Sequence, residues 1–260
     1  MEEFNIFFSE NFRMIMMLLA TSLIVGYLFG SIPVAYLYCK AHNVDILNFG
    51  SGNPGSTNVA RALGKKHGRI VFIFDILKIV IPVFILRLIF FNFVSLEFKT
   101  FLSSLKEVVN LEAYNNLIKE PIYGHYKFYR DFIAIYTGLG GIIGHNYPLF
   151  LNFKGGKGIS CTMGAILSFN FIYAILLFLC YKVVTKITKY VSLGSLSGVT
   201  LFFLTSLFSI IKNIMPYHYN NSMRYGMILL PGIFIMWFLA IFRHRENIKR
   251  LINGTENKTE

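Results

Sequence analysis

Long apolar windows alternate with short polar stretches along this chain of 260 residues. Five windows contain no Asp, Glu, Lys or Arg, namely 14–39, 132–153, 158–181, 190–211 and 225–242. A further window, 70–96, is as apolar but contains Asp75, Lys78 and Arg87. Because about 20 apolar residues cross a bilayer as a helix, the pattern predicts an all-α polytopic membrane protein. One integral-membrane domain is expected to occupy residues 1–260.

Composition agrees with this fold class and gives the helices an orientation. Only 15% of the residues are charged, whereas a soluble domain carries about 25%. The net charge of +12 is concentrated in the segment 40–69, around Lys157, in 182–189 and in the tail after residue 242. Since the Lys and Arg residues of short loops stay in the cytoplasm, these segments and the C-terminus are predicted to be cytoplasmic. The acidic N-terminus is predicted to lie outside.

The number of spans depends on the segment between Lys157 and Lys182. Both lysines are predicted to be cytoplasmic, but the 24 residues between them are too few for two full spans. Two short helices that break near residues 168–170 would resolve this and give seven transmembrane helices. A single span would give six, but it would place both 182–189 and the basic C-terminus outside. We therefore expect seven helices, with six as the alternative.

The stretch 97–131 carries both signs of charge evenly and is predicted to be an external insertion. Its apolar residues follow helical spacing from Phe98 to Val109. This spacing predicts an amphipathic helix that lies on the membrane surface.

Three stretches rich in glycine, small polar residues and cations are predicted to reach the cytoplasmic face. They are GSGNPGSTNVARALGKKHG (50–68), GHNYPLFLNFKGGKG (144–158) and RHRENIKRLINGTE (243–256). Glycines let backbone N–H groups approach an anion, and Arg or Lys supplies charge. A helix beginning near Thr57 would add the positive end of its dipole. The three stretches together predict an anion-binding site.

A nucleotide is a poor candidate for that anion. Gly50, Gly52 and Gly55 satisfy the dinucleotide fingerprint G-x-G-x-x-G, but this fingerprint requires a strand on each side of a helix within about 30 residues. Here membrane helices bracket the glycines instead. A Walker A loop is excluded because Leu151 stands at its first glycine position and Gly158 replaces the Ser or Thr after the lysine.

Metal-dependent chemistry and thioester-dependent acyl transfer are also disfavoured. The acids predicted on the cytoplasmic side are Asp45, Asp75, Glu246, Glu256 and the terminal Glu260. No two of them form a D-x-D pair that would hold metal ions. No histidine is followed by an Asp five residues later. The H-x-x-x-x-D motif of thioester-using acyltransferases is therefore missing.

The three stretches resemble the three motifs of the bacterial acyl-phosphate:glycerol-3-phosphate acyltransferase family, PlsY. The segments SIPVAYL (31–37) before the first motif and TKYVSLGSL (188–196) after the second are also similar to that family. The resemblance extends over residues 30–256. One departure is Ser56, which stands where the family commonly has alanine.

The resemblance implies a seven-helix enzyme of the plasma membrane with its active site on the cytoplasmic side. It would move a fatty acyl group from acyl phosphate to the 1-hydroxyl of sn-glycerol 3-phosphate. The products would be 1-acyl-glycerol 3-phosphate (lysophosphatidic acid) and phosphate, in the first step of phospholipid synthesis. No cofactor, metal or nucleotide would be needed. The implied partners are the two substrates, membrane lipid and an upstream enzyme that forms acyl phosphate, but no nucleic acid.

The resemblance also implies roles for individual residues. The catalytic set would be Ser51, Arg61, Lys157, His244 and Asn247. The substrate-binding set would be Gly50, Gly52, Asn53, Thr57, Asn58, His145, Gly155, Gly156, Gly158, Arg243 and Arg245. The first motif would bind phosphate and orient the reacting centre, and the glycines of the second motif would wrap a phosphate. His244 and Asn247, three residues apart and so on one helix face, would contact glycerol 3-phosphate.

Some interpretations stay open at this point. Asp75 and Lys78 lie inside a predicted span, where an ionisable residue indicates function; an ion pair that orders the site and a contact with substrate both fit. His145 could simply end a helix, and His244 could be an interfacial histidine. A membrane transporter of an organic phosphate would also need a cationic pocket, but the chain has no internal repeat of the kind many secondary transporters have.

Overall fold

A computed structural model of the chain describes residues 2–106, 121–211 and 222–259, with side chains in 12–92, 127–211 and 225–259. Every regular element in this described part is helical. The α-helices are α1 (Glu2–Gly30), α2 (Val34–Ala41), α3 (Ser56–Leu63), α4 (Lys65–Lys106), α5 (Pro121–Asn146), α6 (Ile159–Phe169), α7 (Phe171–Thr188), α8 (Val191–Ile211), α9 (Ser222–Arg243) and α10 (Arg245–Ile252). A short 3₁₀ turn, Leu149–Leu151, follows α5.

The chain is an all-α membrane protein, as its apolar windows predict. Within the described residues, four helical segments are long and apolar enough to cross a bilayer: Phe12–Ala41, Phe171–Thr188, Val191–Ile211 and Tyr225–Arg243. Helix α6 is apolar but shorter, with 11 residues. Helix α4 carries the buried charges of Asp75 and Lys78 along its apolar length.

The break predicted near residues 168–170 is confirmed at Asn170. This residue is extended (φ −156°, ψ 122°) and separates α6 from α7. Its side-chain oxygen accepts hydrogen bonds from the backbone N–H groups of Ile172 (2.9 Å) and Tyr173 (3.3 Å). Because asparagine is a strong N-cap, it both ends the short helix and begins the longer one.

The stretch 97–131 differs in part from its expected form. Residues 97–106 are helical, but they continue α4 without a break, and residues 121–131 open α5. Residues 107–120, the middle of the predicted insertion, lie outside the described residues. At the end of the stretch Asp131 is buried rather than solvated, and it accepts a charge-assisted hydrogen bond of 2.8 Å from Arg130.

Helices α1 and α5 approach each other closely through glycines. A Cβ on Gly26 would overlap the carbonyl of Thr137, and one on Gly30 would overlap the backbone of Gly141. Small residues allow membrane helices to pack backbone against backbone. This contact places the end of α1 beside the end of α5, where the second polar stretch begins.

Candidate active site

The second and third polar stretches meet through the Arg243 guanidinium at the end of α9. Its Nη2 donates to the carbonyl oxygens of Gly155 (2.7 Å) and Gly156 (2.8 Å), and its Nε donates to Gly156 (3.0 Å). The guanidinium also lies over the Tyr147 ring at 5.1 Å. Arg243 therefore fixes the backbone of the glycine loop Gly155–Gly158 through its Nε and Nη2 donors.

Lys157 and Asn247 form a second connection between these stretches. Lys157 Nζ donates to Asn247 Oδ1 across 2.5 Å. Partial burial and the neighbouring cations Arg250, Arg61 and Arg243 lower the pKa of Lys157 to about 8, although Glu256 opposes this shift. The ammonium is thus charged at neutral pH but surrounded by positive charge, which favours an incoming anion.

The first stretch forms a loop that Asn58 holds in shape. Asn58 is buried, and its side-chain amide donates to the Phe49 carbonyl (2.8 Å) while its oxygen accepts from Ser51 N (3.3 Å). Gly50 (φ +57°) and Gly52 (φ +64°) adopt left-handed conformations that favour glycine. The Asn58 side chain thus contacts the loop backbone, and it leaves Ser51 exposed at the loop surface.

The first and second loops share an open groove of about 340 Å³. It is lined by Leu47, Asn48, Gly52, Pro54, Lys154 and Gly155. Near this groove, the side chains of Ser51 and Thr57 are exposed, Asn53 is half-buried and Gly158 is buried.

Arg61 is exposed on α3, and no hydrogen bond or ion pair to it is found within the described part of the chain. Its guanidinium is therefore available to a ligand.

His244 occupies a different position from the one expected. It is the N-cap of α10 (φ −100°, ψ 7°) rather than a residue within the helix, and Asn247 is the third residue of that helix. His244 Nδ1 lies 2.8 Å from the Ala240 carbonyl, which can only accept, so Nδ1 carries the proton. Burial and Lys157 lower the pKa of His244 to about 4. The imidazole is therefore neutral at pH 7, and its Nε2 lone pair, with no partner among the described residues, can accept a hydrogen bond.

Glu256 completes the site, and the sequence interpretation gave it no role. Its Oε1 accepts from Asn247 Nδ2 (2.6 Å) and Ser192 Oγ (2.8 Å), and its Oε2 accepts from Arg250 Nε (2.7 Å). Burial disfavours the carboxylate, but these hydrogen bonds outweigh it and hold the pKa of Glu256 below its ordinary value. Two features of the sequence could have indicated a role for Glu256. It is one of the few acids near the motifs, and the segment that contains its partner Ser192 resembles the family.

Arg245 lies apart from these contacts. Its side chain is 59% exposed, lies over the Phe242 ring at 4.7 Å and pairs weakly with Glu246 at 3.8 Å. No contact joins it to Lys157 or Asn247 in the described segments. The structure thus gathers Arg243, Lys157, Asn247 and His244, and leaves Arg245 at the surface.

Known proteins are similar to this chain in sequence and in fold. The profile of the glycerol-3-phosphate acyltransferase family matches residues 20–254. The chain belongs to this family. It is 35% identical over 237 residues to the glycerol-3-phosphate acyltransferase of Thermoanaerobacter sp. (strain X514), covering 90% of this chain and 92% of that protein. It is 33% identical over 256 residues to that of Mycoplasma pneumoniae, covering 94% and 95%.

Two crystal structures of PlsY, an integral membrane glycerol 3-phosphate acyltransferase, have the same fold. The glycerol 3-phosphate form aligns with a TM-score of 0.63 and the lysophosphatidic acid form with 0.65, each at 30% identity. The alignments cover 93% of this chain and 96% and 95% of the two PlsY chains. This acyltransferase is therefore an integral membrane protein with the PlsY fold.

Behind the glycine loop of the acyltransferase lies a buried charged cluster. Lys78 Nζ is 2.9 Å from Asp75 Oδ1 and 3.0 Å from His145 Nδ1. Asp75, His145 and Cys161 present ligand atoms within 4.8 Å of one another, as a metal site would. The Lys78 ammonium, however, lies within hydrogen-bonding distance of two of these three groups. The cluster thus carries its own cation, and His145 contacts Lys78 where a substrate contact had been expected.

Proposed function

We propose that this acyltransferase moves a fatty acyl group from acyl phosphate to the 1-hydroxyl of sn-glycerol 3-phosphate. Lysophosphatidic acid and phosphate are the products. The observation that carries the proposal is the charge balance of the site. Lys157 and Arg61 present positive charge beside glycine loops, whereas the neighbouring carboxylate, Glu256, is engaged by Ser192, Asn247 and Arg250. Such a site suits phosphate-bearing substrates.

The phosphates are bound by cations and by backbone N–H groups. Arg61 offers a planar fork with two parallel donors, and Lys157 offers a point charge. Gly155, Gly156 and Gly158 shape the loop around a phosphate, while Ser51, Asn53 and Thr57 line the other side and orient the reacting centre. Asn58 and Arg243 shape the two loops, because their side chains are committed to backbone groups.

The reaction needs no external base. The substrate hydroxyl oxygen attacks the acyl carbonyl carbon, the bond between that carbon and the phosphate oxygen breaks, and the hydroxyl proton moves to the departing phosphate. His244 Nε2 accepts a hydrogen bond from the non-reacting 2-hydroxyl of glycerol 3-phosphate, and Asn247 holds Lys157 in place. Positioning and charge stabilisation are the protein's contributions, without a cofactor or metal.

We further propose one domain over residues 1–260 with seven transmembrane helices, an external N-terminus and a cytoplasmic active site at the plasma membrane. The junction of α7 and α8 supports this topology, since the Thr259 N–H donates to the Lys189 carbonyl across 2.8 Å. The C-terminal tail thus contacts both the Lys189 junction and, through Asn247, Lys157. A six-helix chain would place Lys157 and Lys189 on opposite sides of the membrane.

The donor identity is tested with purified protein and radiolabelled glycerol 3-phosphate. Palmitoyl phosphate is offered in one reaction and palmitoyl coenzyme A in another, with extracted lysophosphatidic acid as the readout. We expect product only with palmitoyl phosphate, and none from a Lys157→Met variant. Equal product from the thioester would refute the proposed donor. If only palmitoyl phosphate gives product, an enzyme that forms acyl phosphate is the upstream partner in the cell.

A further inference from the structure

Lys78 joins three separate segments inside the protein. It is 6% exposed in α4, and its ammonium contacts Asp75 Oδ1 (2.9 Å), His145 Nδ1 (3.0 Å) and the Ile32 carbonyl (3.0 Å). Ile32 lies where α1 gives way to α2, and His145 lies at the end of α5. One ammonium therefore fixes the relative positions of α4, α5 and the chain between α1 and α2.

His145 carries this contact to the glycine loop. Because an ammonium only donates, His145 Nδ1 accepts and the ring proton resides on Nε2. Gly156 lies directly against that Nε2, since a Cβ added to Gly156 would overlap it. The Gly156 N–H also donates to the His145 carbonyl across 3.0 Å. The backbone of the loop thus rests on the imidazole that Lys78 orients.

The opposite side of the loop is held by Arg243, which donates to the carbonyls of Gly155 and Gly156. The loop is therefore held between a half-buried guanidinium and a buried imidazole. We propose that Lys78 is a positioning residue for acyl transfer, which sets the Gly155–Lys157 loop through His145. The inference rests on the proposed function, in which this loop holds a substrate phosphate.

Stability alone does not explain why the buried cluster of Asp75, Lys78 and His145 carries charged residues. Removing two charges from water is costly, and a buried ion pair can often be replaced by apolar residues with no loss of stability. An apolar pair at positions 75 and 78 could not donate to His145 and to the Ile32 carbonyl together. The ammonium does so, and Asp75 supplies the compensating charge.

The first test replaces the pair by neutral groups, in the charge-balanced variant Asp75→Asn/Lys78→Met of the full chain. Thermal unfolding in detergent and the separate kcat and KM of both substrates are measured. We expect KM for the substrate whose phosphate the loop holds to rise roughly tenfold or more, with a smaller change in kcat. Leu229→Ala, a buried change in α9, is the control that should lower the unfolding temperature without changing either KM.

A double-mutant cycle with Gly156→Ala tests the route of the effect. If Lys78 acts through the loop, the triple variant should have the same KM as Gly156→Ala alone. The proposal would be overturned if the KM increases of Gly156→Ala and Asp75→Asn/Lys78→Met multiplied in the triple variant. A wild-type KM in Asp75→Asn/Lys78→Met would overturn it as well. An inactive wild-type enzyme would instead refute the proposed function.

A second pair of variants covers the case in which the double variant fails to fold. His145→Leu keeps the Asp75–Lys78 ion pair but removes the acceptor, and it should raise the same KM. His145→Gln supplies an amide oxygen that can accept from Lys78, and it should recover part of the loss. A wild-type KM in His145→Leu would contradict the positioning role.

Discussion

Lys157 and Asn247 are separated by 90 positions in the sequence, yet Lys157 Nζ donates to Asn247 Oδ1 across 2.5 Å. The other end of the same amide donates to Glu256 Oε1 at 2.6 Å. Asn247 thus stands between a cation and a carboxylate that would otherwise attract each other. Because the amide is neutral, the charge of Lys157 is not cancelled by a direct ion pair and remains available to a phosphate.

Asn247→Asp tests this separation with almost no change in shape. The new carboxylate would neutralise Lys157 and repel Glu256, so kcat/KM should fall roughly tenfold or more, mainly through KM. Asn253→Asp, an exposed change after α10, is the matched control and should be close to wild type. Equal activity of the two variants would remove Asn247 from the site.

The pH profile should report Lys157. Its ammonium is charged below a pKa of about 8, and a substrate phosphate carries its second charge above about pH 6. Anion binding should therefore be strongest between these values, and kcat/KM should decline as pH rises through 8 and Lys157 loses its proton. His244, with a pKa of about 4, does not titrate in this window.

Lys157→Arg separates this effect from other titrations, because arginine stays charged at all these pH values. Its activity, measured from pH 6 to pH 10, should lack the decline near pH 8 even if the rate is lower throughout. Lys182→Arg, a surface change on α7, should keep the wild-type profile. An unchanged decline in Lys157→Arg would assign it to another group.

Arg61→Lys is expected to damage activity although it preserves charge. A guanidinium binds phosphate through two parallel hydrogen bonds, which an ammonium cannot form. A loss of roughly ten- to more than a hundredfold in kcat/KM should follow. Arg69→Lys, also exposed and basic, should be nearly neutral. If both variants behave alike and near wild type, Arg61 acts only as a topology signal.

Cysteine labelling in intact cells checks the proposed topology. Single cysteines at His67, Lys157 and the C-terminus should resist a membrane-impermeant reagent, whereas one at Lys119, outside the described residues, should react. The native Cys39, Cys161 and Cys180 are replaced first. Labelling of a cysteine at position 157 from outside the cell would contradict the proposed topology.

The fold and the outline of the site were accessible from the sequence because their signals are local. Apolar windows predicted the helices, and the charge argument around Lys157 and Lys182 predicted the break at Asn170. Of the cations named from the three motifs, Arg243 contacts Gly155 and Gly156 and Lys157 contacts Asn247, whereas Arg245 lies apart from them. Local patterns could not show that residues 97–106 continue α4, because charge there suggested a separate surface element.

The remaining features depend on contacts between distant segments. Ser192 and Glu256 are 64 positions apart, and Lys78 and His145 are 67 apart, so neither partner predicts the other by spacing. The spacing of three residues between His244 and Asn247 predicted one helix, but it could not show that His244 is the N-cap of that helix. The partners of these side chains are set by how distant helices pack together, which local spacing does not show.

The most direct test of the account is the release of phosphate from palmitoyl phosphate by the purified protein in detergent, followed with and without glycerol 3-phosphate. We predict release only when glycerol 3-phosphate is present, with one lysophosphatidic acid formed for each phosphate. Proteoliposomes of the same protein should not accumulate glycerol 3-phosphate. Accumulation without phosphate release would contradict the account and identify a transporter of an organic phosphate.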